Sequence, residues 1–151
     1  MDPRSAPERL RSLPSWLLAQ VSLTAAHLVS GRLAPLADHR YHFSMLAALE
    51  ELGPLSQAEL GRRCGLDRSD VAAAVADLEG RRLVDRAPDP ADRRRNIVQL
   101  TATGRRHLAD LDAALGAAQD DLLAPLSPAE RRQLTELLSR VAGHHGRPPG
   151  D

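Results

Sequence analysis

Apolar residues recur at helical spacing along most of the chain, and the interruptions mark its organisation. Leu13, Leu17, Val21, Thr24 and Leu28 stripe one face of a first helix, which the pattern ends between Gly31 and Pro35. Phe43, Leu46 and Leu49 stripe a second, closed by Gly53-Pro54. A third begins at Ser56-Gln57-Ala58-Glu59, where Ser56 and Glu59 are spaced to satisfy each other's amides as a capping box. Leu60, Gly61 and Cys64 form its inner side, and Gly65 supplies a residue able to turn with positive φ. A fourth starts at once, with Asp67 as N-cap, Asp70 beside the positive helix end, and Val71, Val75 and Leu78 inward.

Between Leu83 and Gly104 the period changes. Leu83, Val84 and Ile97, Val98, Leu100 are β-prone runs around Pro88, Asp89, Pro90, Asp92 and then Arg93, Arg94, Arg95, which reads as a hairpin with an arginine-loaded tip. Thr101 caps a further helix whose apolar positions, Leu108, Leu111, Leu115, Ala118 and Leu122, step as a heptad seam and require a partner along their length. The last helix opens on Ser127-Pro128-Ala129-Glu130, a capping box with Pro at its first position, and continues through Leu134, Leu137, Leu138 and Val141. The polar ends, 1–12 and 143–151, are expected to fray. Two short helices about Cys64-Gly65-Leu66, followed by a hairpin, describe a winged helix-turn-helix. The expected fold is mainly α (α+β), with about six helices and a two-stranded wing.

A length of 151 residues predicts a single domain, 1–151, with dimerisation helices at 13–36 and 105–145 flanking a DNA-binding lobe at 41–104. The formal net charge is zero, but it is assembled from opposed blocks: residues 81–106 hold eight Arg against three Asp, while 107–123 hold four Asp and no Arg. A zero total argues against indiscriminate polyanion binding, yet one basic face suffices for phosphate contact. The single Cys64 excludes an internal disulfide and gives no pair for a zinc knuckle. No long apolar run or signal-peptide core is present, so a soluble cytoplasmic protein without a membrane partner is expected. No G-x-S-x-G, glycine-rich phosphate loop or H-E-x-x-H occurs, which points away from an enzyme and from a cofactor.

The order of elements and the run LSQAELGRRCGLDRSDVAAAVADLEGRRLVDRAPDPADRRRNIVQLTATG, Leu55 to Gly104, resemble the MarR family, the multiple-antibiotic-resistance type of transcriptional regulators. The Asp92-Arg93-Arg94 tip followed by Leu100-Thr101 and Gly104 is the most recognisable part, and the resemblance extends over about residues 13–142. It implies an obligate homodimer in which the N-terminal helix and the last two helices interleave. It also implies a roughly palindromic double-stranded operator with half-sites about 10 base pairs apart, and a small molecule, oxidant or metal that changes the spacing of the two lobes. Two positions depart from the family pattern. Ala73 stands where relatives often carry a basic or polar reader, and Arg82 stands where glycine is usual. Either Arg82 takes the strained turn or Gly80 ends the helix earlier.

Contacts to DNA can be assigned residue by residue. Arg94 is expected in the narrow minor groove, with Asp92 pairing to a nearby arginine and Arg93 or Arg95 on phosphates. On the fourth helix, Arg68, Ser69, Asp70, Ala73, Ala74 and Asp77 lie nearer the groove side. Arg68 suits guanine and Ser69 a phosphate or base. Asp70 either accepts from cytosine or serves only as a helix-end charge, while Ala73 and Ala74 offer apolar contact. Ser56 and Gln57 can donate to phosphate.

The resemblance also implies that small aromatic acids are common effectors, and Trp16, His39, Tyr41 and His42 are candidates to line a cleft for an aromatic or phenolic acid, with Arg11 or Arg40 pairing its carboxylate. Trp16 reads equally as a dimer-core residue, and Tyr41 and Phe43 as helix-start packing. His27, His42 and His107 fall on helices that supply ligands in zinc-responsive relatives, but the position one turn beyond His107 is Leu111, so no metal site is expected. Cys64 reads as a small inward residue rather than a redox sensor. The competing reading is a winged protein-interaction module, with the basic wing and the acidic 110–121 stretch docking a partner.

Overall fold

The computed structural model describes residues 3–146, so 1–2 and 147–151 of the ends expected to fray lie outside the described residues. Along the chain run α1 (Glu8–Arg11), α2 (Pro14–Leu33), α3 (Arg40–Leu52), β1 (Leu55–Ser56), α4 (Gln57–Cys64), α5 (Arg68–Gly80), β2 (Val84–Pro88), β3 (Asn96–Leu100), α6 (Ala102–Leu122) and α7 (Pro128–His145). Short 3-10 turns at Pro3–Ser5 and Ala34–Leu36 complete the described elements. The fold is mainly helical, and the sheet has three strands rather than two, antiparallel and ordered β1-β3-β2. The extra strand is the dipeptide Leu55–Ser56, which pairs with Val98 and Ile97. Both described ends are more ordered than expected. Arg11 Nε donates to the Ala6 carbonyl at 3.0 Å, and 143–145, with His144-His145, complete the last turns of α7.

Side chains open most helices. Ser56, Asp67, Thr101 and Ser127 each accept from the backbone amide three residues on, at 3.2, 2.9, 2.9 and 3.2 Å. The box at Ser127 is reciprocal, with Ser127 N donating to Glu130 at 2.8 Å. The one at Ser56 is only half formed, because the Glu59 carboxylate turns outward to Arg62 and Arg63. α3 has a less obvious cap, His39 Nδ1, which accepts from Tyr41 N at 3.2 Å.

The core gathers around α3, which touches α2, α4, α5, α6 and β3. Met45, Leu46 and Leu49 bury there against Leu33, Leu60, Val75, Leu78, Val98 and Leu111. The seam of α6 finds its partner inside the chain: α6 lies along α2 with Leu111 and Ala118 fully covered. The unpartnered apolar surface is elsewhere. Leu13, Leu17, Leu18, Val21 and Leu23 point outward from α2 and its start, as do Leu137, Leu138 and Val141 from α7.

The end of α5 combines both alternatives weighed at Arg82. The helix ends at Gly80, and Arg82 nevertheless adopts the left-handed conformation, φ 59°. Arg82 N donates to Glu79 O and Leu83 N to Leu78 O, both at 2.9 Å, the paired bonds of a Schellman closure. The chain then presents the Leu83 carbonyl to the start of α6. Thr101 N donates to it at 3.1 Å, and a Cβ on Gly104 would lie 2.0 Å from it.

Two substitutions test this joint by urea denaturation. Arg82→Gly removes the left-handed penalty of a side chain and is expected to raise stability by about 0.5–1 kcal/mol. Gly104→Ala must push α6 off the Leu83 carbonyl and is expected to lower it by about 3 kcal/mol.

Candidate nucleic-acid interface and the cleft behind it

The wing tip is held by its own aspartates. Asp89 Oδ1 accepts from Ala91 N at 2.9 Å and Asp92 Oδ1 from Arg94 N at 3.0 Å, while Asp89 N, Asp92 N and Arg95 N close backbone turns onto Arg95, Asp89 and Asp92 carbonyls. The arginine paired with Asp92 is Arg95, with Nε 3.8 Å away, beyond hydrogen-bond reach. Arg93, Arg94 and Arg95 are all exposed, and Arg93 and Arg94 make no ion pair among the described residues. At the start of α5, Arg68 is exposed and lines a hollow with Gln57, Ala58, Arg62 and Ala72. Ser56 and Ser69 are committed to caps: Ser56 Oγ holds the start of α4, and Ser69 Oγ donates to Asp67 at 2.8 Å.

The other side of α5 faces a different space. Asp70, Ala73, Ala74 and Asp77 line an open cleft of about 1040 Å³, opposite Ser22, Ala25, Ala26, Val29 and Ser30 of α2, with Ala37, His39, Arg40, Tyr41 and His42 at its end. Ala74 is 4% exposed, because it shares the packing face with Val71 and Leu78, so its expected contact with DNA is corrected to a core position. Ala72, unnoticed in the sequence, is exposed on the Arg68 side.

Four of the six expected effector residues come together in this cleft. His39 stacks on His42 with centroids 3.9 Å apart and meets Tyr41 edge-on at 5.3 Å. The Arg40 guanidinium lies over the Tyr41 ring, 5.0 Å from its centroid, and donates to its hydroxyl at 3.3 Å. The remaining two do not line it. Arg11 is tied to Ala6 at the end of α1, and Trp16 sits six residues before Ser22, about 9 Å along α2 from the nearest cleft wall.

Behind the cleft lies a polar cluster that no local pattern announced. The Asp38 side chain is fully buried and receives Arg81 through both terminal nitrogens, at 2.9 and 3.2 Å, and His107 Nε2 at 2.5 Å. Arg81 also donates to the carbonyls of Leu36 and Ala37, at 3.1 and 3.3 Å. Burial pushes the Asp38 carboxyl up, but the hydrogen bonds and charges of Arg81 and His107 outweigh it and hold the group below its ordinary range. His42 stands between two carboxylates, Nδ1 3.1 Å from Asp38 and Nε2 3.2 Å from Asp77, and its buried Nδ1 makes no hydrogen bond. Burial, then the neighbouring His39, hold His42 below the usual histidine value against the pull of both aspartates. The Asp38/His42 spacing of four residues was the one signal the sequence offered.

Other candidate chemistry is not assembled. Among the described residues no group of three or more His, Cys, Asp or Glu is placed to hold a metal ion: His27 lines a separate hollow, while His42 and His107 belong to the polar cluster. Cys64 is half-buried, and burial pushes its thiol up, away from the reactive thiolate. Half of the acidic stretch on α6 is paired internally, Asp120 with Arg131 at 2.8 Å and Asp121 with Arg32 at 2.5 Å. No helix among the described residues is long and apolar enough to cross a membrane.

Comparison with known proteins gives consistent matches. The MarR family model matches residues 35–95. The chain is 37% identical over 102 residues to the transcriptional repressor NicR of Pseudomonas putida, a match covering 66% of this chain and 63% of that relative, so this chain spans just under two thirds of its length. Among solved structures, a probable transcriptional regulator from Pseudomonas aeruginosa is 33% identical with a TM-score of 0.77, covering 88% of this chain and 99% of that one. The Streptomyces coelicolor regulator PcaV, solved with its natural ligand, is 30% identical with a TM-score of 0.73, covering 91% and 97%.

The polar cluster sets the pH dependence of stability. His42 binds its proton less readily in the folded chain than at its ordinary value of 6.5, so its contribution is complete above that pH and is lost as the pH falls below it. Asp38, whose value is lowered from 3.8, loses its contribution only as the pH falls further, through its lower folded value. Urea melts are expected to show stability declining from pH 7.5 to 5.5 in the parent and flat over that range in His42→Gln. Asp38→Asn, which removes the negative charge and one of the two acceptors facing Arg81 and His107, is expected to cost about 3 kcal/mol at pH 7.

Proposed function

Because the chain belongs to the MarR family of transcriptional regulators, we propose that it is a homodimeric, sequence-specific DNA-binding repressor, released from a roughly palindromic operator by a small aromatic or phenolic acid. The observation that carries this reading is the wing tip, where two aspartates fix the backbone and leave Arg93 and Arg94 exposed without an ion pair among the described residues. A guanidinium presented on a preordered tip loses little conformational entropy on entering a narrow, electronegative groove. Arg94 is assigned to the minor groove and Arg93 and Arg95 to phosphates. Arg68 reads a guanine edge, with Ser56, whose hydroxyl accepts the cap and keeps its proton, and Gln57 on the phosphate backbone, while Ser69 gives its proton to Asp67 unless DNA displaces it. Asp92 orders the tip. Asp70 and Ala73 belong to the cleft wall as much as to the groove side of α5.

A second copy is the proposed cover for the outward leucines of α2 and α7, which would otherwise leave a broad apolar face in water. The lobe at 41–104 would then hang from a core built of 13–36 and 105–145. The cleft between α2 and α5 is the proposed effector site, with Arg40 available to a carboxylate and His39 and Tyr41 to a ring. Two of the four acidic residues of α6 are paired within the chain, which weakens the reading of a docking module in its place.

Fluorescence anisotropy on duplexes from the promoter beside its own gene is the test. Sequence-dependent binding with a clear salt slope is expected, and binding without either would overturn the proposal. Arg94→Ala is expected to weaken the specific complex roughly tenfold, while light scattering still reports a dimer at micromolar concentration. An unchanged affinity would remove Arg94 from the interface.

A further inference from the structure

We propose that His42 takes up a proton when an organic acid enters the cleft, so that binding of the anion and protonation of this imidazole are one thermodynamic event. The proposal rests on the reading of the cleft as a carboxylic-acid site. A neutral imidazole offers one N–H and one lone pair. With Asp38 3.1 Å from Nδ1 and Asp77 3.2 Å from Nε2, either neutral tautomer turns a lone pair toward a carboxylate. Only the imidazolium sets positive charge against both carboxylates. The buried Nδ1 has no hydrogen bond that would fix the neutral ring in one tautomer.

The surrounding charges explain why the ligand would tip the balance. Arg81 and His107 are committed to Asp38, so that carboxylate is compensated. Asp77 is half exposed and, among the described residues, otherwise meets only Arg81, at 3.5 Å. Within the cleft Asp70 and Asp77 stand against Arg40 alone, and the α2 wall from Ser22 to Ser30 contributes no charge. An entering carboxylate adds a second uncompensated negative charge to a half-enclosed space, where Coulomb interactions are weakly screened. His42 lines that space and is its buried base, set between the two aspartates. Against protonation stand its burial and the His39 ring stacked 3.9 Å away, which keep the imidazole neutral before the acid arrives. The device selects organic anions over their neutral counterparts as the pH falls, without a second cation in the cleft.

Calorimetric titration with 4-hydroxybenzoate in buffers of different ionisation enthalpy counts the protons. Uptake approaching one is expected for the parent, with the dissociation constant falling by up to tenfold per pH unit between pH 8 and 6. The uncharged 4-hydroxybenzamide is expected to bind without uptake, and His42→Gln to bind the acid more weakly at pH 6 with neither uptake nor pH slope. Binding of the acid by the parent without uptake overturns the inference and leaves the acid-site reading intact. Uptake persisting in His42→Gln likewise overturns it, because the proton then resides elsewhere. No binding of either compound sinks the acid-site reading and this inference together. Should His42→Gln fail to fold, the ring ¹⁵N shifts of His42 in the parent decide: a move to the imidazolium range on adding the acid supports the inference, and an unmoved neutral signal overturns it.

Discussion

One buried carboxylate organises the molecule. Asp38 has no exposed side-chain surface, and such a charge is tolerated only where donors meet it. Those donors come from distant parts of the chain: Arg81 just beyond α5 and His107 on α6. By binding the carbonyls of Leu36 and Ala37 as well, Arg81 holds the short turn that carries the chain from α2 into α3, including the left-handed Ala37. The framework of α2 and α6 and the lobe of α3 to α5 are therefore joined through an ionic pivot rather than through apolar packing alone. Apolar contacts slide with little change in energy, whereas a bidentate guanidinium pair fixes direction.

α5 has two audiences. Its first residue and Ala72 face the hollow shared with α4, while Asp70, Ala73 and Asp77 face the cleft under α2. Its last turn delivers Arg81 to Asp38. Whatever occupies the cleft thus touches the same rigid rod that presents Arg68, with no intervening loop to absorb the displacement. The run of alanines that looks poor in readers is, on the cleft side, what keeps the cleft open.

Most helices were legible because their information is local. Caps at Asp67, Thr101 and Ser127 and the periodic leucines announce themselves within a few residues. The arginine tip and its turn residues were equally plain. The failures share a different cause. β1 is a two-residue strand whose existence depends on β3, some 40 residues away, so no periodicity could reveal it. The Ser56 box reads like the one at Ser127, but Arg62 and Arg63 compete for Glu59. Leu13, Leu17 and Val21 form a proper stripe, yet periodicity reports that a face is apolar and not what covers it. Ala74 was misassigned because an alanine on a helix fits core and surface alike. The Asp38 cluster, built from residues 43 and 69 positions apart, has no sequence signature beyond the spacing to His42. The cleft was half read, its aromatic end from composition and its acidic wall not at all.

The dipeptide strand has a mechanical implication. Leu55 and Ser56 sit in the ladder with Val98 and Ile97, and Ser56 also opens α4 through its hydroxyl, so this dipeptide rivets the wing to the helix-turn-helix. A load applied at the arginine tip travels down β3 and across this rivet to the start of α4 instead of bending the hairpin. The wing and the first helix of the pair are accordingly expected to move as one stiff body.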